Sequence, residues 1–165
     1  DLEIQPQAQS VAVASGDQIV EAWIHGLITQ VTSEPIDVRI EQWIRGNHPG
    51  LRERQVRSLR TETGMIIASI SPDVERATPP GIFRRSKAMN YAYLKHIGRI
   101  MGRSFDNHFH GAPEVIALGE RLSDALVGNR PSNQSLVAHW AEVLGMEDWF
   151  TWVGFEDVPT SYRTA

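Results

Sequence analysis

Cysteine is absent from the 165 residues. That excludes disulfides, thiolate catalysis and cysteine-based zinc sites, and it fits a reducing compartment. No run of about 18 apolar residues occurs, the length a membrane-crossing helix requires, so no membrane association is expected. Four catalytic signatures are missing as well: G-x-S-x-G, the P-loop, G-x-G-x-x-G and H-E-x-x-H. The opening stretch Asp1-Leu2-Glu3-Ile4 has neither a basic nor an apolar leader segment, so no signal peptide is expected. Without an initiator Met, the chain is expected to be processed, trimmed or only partly recorded. The expected setting is cytoplasmic or virion-like.

Positive charge is missing from one long stretch. Residues 1–38 hold six acids and no Lys or Arg. Residues 39–103 hold thirteen Lys or Arg against five acids, and residues 104–165 hold three against nine. The net charge of −4 therefore hides segments of −6, +8 and −6. Such asymmetry points to a polyanionic or oppositely charged partner, or to neutralisation of the segments by one another within one fold.

What the chain does have is helical patterning. The composition, 41% hydrophobic and 22% charged, is that of an ordered domain. Ser15-Gly16-Asp17-Gln18 reads as a capping box. Ile19, Val20, Trp23, Ile24, Leu27, Ile28 and Val31 then form one apolar stripe at 3.6 spacing. Pro35 is placed to restart the chain, with Ile36, Ile40, Trp43 and Ile44 as the inner face of a second helix. A basic third helix spans Leu51 to Arg60. The apolar run Met65 to Ile70 is either a buried strand or a helix end. Pro72 to Gly81 reads as a loop, Phe83 to Met101 as a long helix, and Pro113 onward as another closed by Gly128-Asn129-Arg130-Pro131. Ser132 to Leu144 is the next, capped by Gly145, with a short aromatic helix or turn after it. The expectation is an all-α, bundle-like fold of five to seven helices with at most one short β pair. It comprises an extended arm over 1–14, a single helical domain over 15–158 and a tail over 159–165.

The long helix carries the most specific pattern. Lys87, Tyr91, Lys95, Arg99 and Arg103 recur every four residues. Each step of four turns about 400°, so the row drifts only about 40° per step. Arg84 and Arg85 extend its charge, while Leu94, Ile97 and Met101 lie on a neighbouring face. Such a stripe suits phosphate neutralisation, and a tyrosine within it suits base stacking. Neither reads sequence, so the pattern implies backbone binding. Arg52, Arg54, Arg57 and Arg60 fall within nine residues with only Glu53 among them, and guanidinium forks suit bidentate phosphate contacts.

Weaker signals remain. Trp149, Phe150, Trp152 and Phe155 crowd the C-terminal end, either to close the core or to face a neighbouring subunit. Asp106-Asn107-His108-Phe109-His110 is the only local group of metal-type ligands. On an extended segment His108 and His110 would point to one side, with Asp106 or His96 as a further ligand. Glu147 and Asp148 are adjacent acids suited to a helix N-terminus. Ser135 to Met146 loosely resembles the first half of a helix-turn-helix, yet the would-be recognition helix, Glu147 to Val153, is acidic and aromatic.

The leading expectation is a non-enzymatic, self-assembling protein that binds a nucleic-acid backbone, needs no cofactor and forms a homo-oligomer. In broad layout it is similar to small helical coat or nucleocapsid proteins, although no motif carries that likeness. The alternatives are an interaction domain with an acidic partner and a metal-dependent enzyme at His108 and His110.

Overall fold

The computed structural model describes residues 2–4, 18–127, 132–153 and 155–157. Six α-helices are present among them: α1 (Gln18–Asn47), α2 (Arg52–Ser69), α3 (Pro72–Ala77), α4 (Pro80–Met101), α5 (Pro113–Val127) and α6 (Asn133–Leu144). Two three-residue strands, β1 (Leu2–Ile4) and β2 (Phe150–Trp152), pair antiparallel with Glu3 opposite Thr151. The fold is all-α and bundle-like, with this one short β pair. The capping box at Ser15, most of the expected arm, the Gly128–Pro131 turn and the tail lie outside the described residues.

Helix α4 is the hub of the bundle. Every residue from Lys87 to Gly98 except Lys95 is buried. Its small residues admit neighbours closely: a Cβ on Gly119 of α5 would lie 2.5 Å from Tyr91 Cδ1 and 2.9 Å from Ala88 O. The core gathers Ile24, Leu27, Ile28 and Val31 from α1, Met89, Leu94 and Ile97 from α4, Leu122 from α5, and Leu136, Val137 and Trp140 from α6. Trp140 Nε1 donates to Leu122 O at 3.1 Å, satisfying the one polar atom of a fully enclosed indole.

Several boundaries differ from expectation. Pro35 does not restart the chain; α1 runs through it for 30 residues. An interior proline removes one ladder bond and costs about 3 kcal/mol. Burial of Val31, Pro35 and Val38 on one side of α1 offsets that cost. This packing also turns the expected inner face of the second half outward: Ile40 is 47% and Trp43 57% exposed. Ile19, at the start of the first stripe, is exposed too. Met65 to Ser69 completes α2 rather than forming a strand. Pro72 opens the short helix α3 within the expected loop, with Asp73 and Glu75 in its first turn.

The C-terminal side follows expectation as far as Gly145 and departs from it beyond. Ser132 and Ser135 form a reciprocal cap at the start of α6, and Gly145 ends that helix at φ 62°. Met146 N donates to Ala141 O at 2.8 Å, a Schellman closure. A turn and then β2 follow, so Glu147 and Asp148 head no helix and residues 147–153 form no recognition helix. Phe150 is buried and Trp149 partly so, while Trp152 is 38% exposed.

Candidate functional site

The cationic row on α4 does not stand free along its length. Because α4 is enclosed by other helices, its polar residues meet partners inside the protein. Lys87 is buried, its ammonium 3.9 Å from Glu75 Oε2 and 5.2 Å from the Phe83 ring centroid. Tyr91 is buried edge-on to Phe109 and donates its hydroxyl to Glu120 Oε1 at 2.5 Å. Lys95 Nζ donates to Glu120 Oε2. Burial, followed by the bond to Glu120, raises the Tyr91 phenol. The bonds from Lys95 and Tyr91 hold the Glu120 carboxyl below its ordinary range. The expectation of an outward phosphate stripe is therefore corrected for Lys87, Tyr91 and Lys95. Arg85 is likewise structural. Its Nε donates to Leu144 O at 2.8 Å, satisfying a terminal carbonyl of α6, and its guanidinium lies 5.5 Å from the Trp149 ring.

The ends of the row remain open. Arg84 is exposed beside a surface cleft of about 480 Å³ that Glu75 and Glu114 also line. Arg99 and Arg103 are exposed and line a second cleft of about 540 Å³ with Lys95, Glu120 and Asp106. That cleft depends on how α4 ends. Gly102 adopts φ 68°, and Arg103 N donates to Gly98 O at 2.9 Å. A Cβ on Gly98 would lie 2.5 Å from Arg103 O, so only glycine lets the chain fold back there. Arg103 then lies over Phe105, 4.8 Å from its centroid.

Helix α2 presents a different picture. Gln55, Leu59 and Thr63 face the core, while Arg52, Arg54, Arg57 and Arg60 are all exposed. None of the four has a carboxylate within ion-pair distance among the described residues. Arg54, Arg57 and Arg60 are three residues apart, about 300° per step, and so share one side of the helix. Uncompensated like charges at this spacing repel each other.

Residues 106–109 form a 3-10 turn, not the extended segment expected for a His108/His110 pair. Both histidines and Asp106 are exposed. His96 is buried elsewhere, its Nε2 3.0 Å from Ser123 Oγ and its Nδ1 3.3 Å from Gln42 Nε2. Burial and then the charge of Arg99 lower the His96 pKa, which favours the neutral ring. Among the described residues no three His, Asp or Glu side chains lie close enough to hold a metal.

Glu75 and Glu120, which neutralise the row, were not signalled by sequence. Each is far along the chain from its cation, and no helix-face pattern marks it. Nor does any described helix have the length and apolarity to cross a membrane. Comparison with family models found no match, and searches of curated proteins and of solved structures also found none.

Proposed function

We propose that this is a non-enzymatic, self-assembling protein that binds the phosphate backbone of a nucleic acid through the solvent face of α2. The observation that carries the reading is the set of four exposed guanidinia at Arg52, Arg54, Arg57 and Arg60 without a carboxylate partner among the described residues. Arg84, Arg99 and Arg103 supply further exposed charge. Lys87, Tyr91, Lys95 and Arg85 act inside the fold instead. An acidic protein partner would use the same arginines, and nuclease treatment before light scattering separates the two readings.

Filter binding of single-stranded RNA and DNA across a salt series tests the proposal. Affinity should fall steeply with salt. The double variant R54A/R57A should lower the log–log slope by about 1.4, at about 0.7 per lost phosphate contact on a single strand, while K95A leaves the slope unchanged. Salt-insensitive binding, or an unchanged slope in R54A/R57A, counts against the reading.

Self-assembly rests on a second feature. Ile36, Ile40, Trp43 and Ile44 lie on one side of α1 at helical spacing, and Ile40 and Trp43 are exposed. Trp43 packs edge-on to His48, ring centroids 4.6 Å apart. Exposed aromatic and aliphatic groups in one patch mark an interaction surface. Sedimentation velocity of the nucleic-acid-free protein should show oligomers that W43A shifts towards monomer; monomers throughout would remove the assembly half of the proposal.

A further inference from the structure

A third cleft, of about 370 Å³, lies between α1, the end of α2, α3 and α4. Its volume falls in the range of small-molecule sites. Trp23, Val74, Ile82 and Phe83 give it apolar walls. Its polar lining consists largely of Gln30, Glu34, Ser86 and Asn90. There the amide Nε2 of Gln30 donates to Glu34 Oε1 at 2.7 Å and faces Asn90 Oδ1 at 3.2 Å and Ser86 O at 3.3 Å.

The Gln30 amide is thus within hydrogen-bond reach of three acceptors, and the second carboxyl oxygen, Glu34 Oε2, is buried without a hydrogen-bond partner among the described residues. Buried unpaired acceptors are costly and uncommon. No cation compensates: the charged neighbours that act on Glu34 are Asp37 and Glu62, both acidic. Lys87, the nearest cation along α4, is turned towards Glu75.

We infer that this cleft binds a small organic ammonium ion, with an aryl-sized apolar body against Trp23, Ile82 and Phe83 and its N–H donors directed to Glu34. Two observations favour a cation over a neutral apolar guest: the unpartnered oxygen of the Glu34 carboxyl, and the acidic character of the charged neighbours that act on it, Asp37 and Glu62. Aromatic walls add a quadrupole attraction for an ammonium group. Burial pushes the carboxyl up to about 8; a bound cation would bring it down and release a proton. The inference does not depend on nucleic-acid binding, because no residue of α2's arginine face lines this cleft.

Calorimetric titration of the full chain with phenethylamine, and in parallel with the uncharged 2-phenylethanol, tests it. Phenethylamine should bind saturably at one site, at least tenfold more tightly than the alcohol. E34Q should bring the two affinities together. G26L supplies an independent block. Gly26 lines the cleft, and a Cβ there meets nothing within 4 Å, so a side chain can be added at the cleft wall; with circular dichroism confirming that G26L is folded, both probes should fail to bind. Absence of saturation at about 10 mM, equal binding of the two probes, or amine binding undiminished in G26L would each overturn the site. Should E34Q not fold, the probe ratio on the native chain and its loss in G26L decide the matter.

Discussion

The residue with the sharpest electrostatic consequence is Glu34. Desolvation dominates its shift, and Asp37 and Glu62 add to it. Because the folded-state pKa lies near 8 and the ordinary value near 4.5, the native protein keeps a proton that the unfolded chain releases. Stability therefore falls as pH rises from about 4.5 to about 8 and then levels off. E34Q removes this dependence. Its melting temperature should exceed that of the parent at pH 8.5 by more than at pH 5, as thermal unfolding at the two values would show. Equal differences at both values would mean that Glu34 ionises normally. Nothing in the sequence marks this residue. Glu34 precedes a proline that reads as a helix start, and only the continuation of α1 past Pro35 places it opposite Asn90.

At the level of elements, α4 decides both what was legible in the sequence and what was not. Its limits follow from Pro80, the apolar positions and Gly102, and the expected Phe83–Met101 helix matches the observed Pro80–Met101 within one turn. Its surroundings are not written in that pattern. A charged row four residues apart looks like an outer face only when one side of a helix is free, and α4 has neighbours on nearly every side. The closest approach, α4 to α5, rests on Gly119. G119A would force Tyr91 or the Ala88 backbone to move and should destabilise the protein by about 1–3 kcal/mol, measured by urea unfolding. An unaltered midpoint would show that the two helices have slack. Helix α2 is the opposite case. Its arginines read as exposed from their density alone, and they are exposed.

For the molecule as a whole, helix content and most helix positions were legible, because periodicity and caps are local signals; the two strands, Leu2–Ile4 and Phe150–Trp152, were not placed, since each is three residues long and its partner lies at the other end of the chain. Long-range pairings were not. Lys95 with Glu120 spans 25 residues and Lys87 with Glu75 spans 12, and such partners are chosen by packing. The pairings bear on what an isoelectric point near 5.9 conveys about this protein. Among the described residues, carboxylates from α3 and α5 pair with Lys87 and Lys95, whereas Arg52, Arg54, Arg57 and Arg60 of α2 have no carboxylate within ion-pair distance. A local field of that kind acts by direction of approach, which the total charge does not convey.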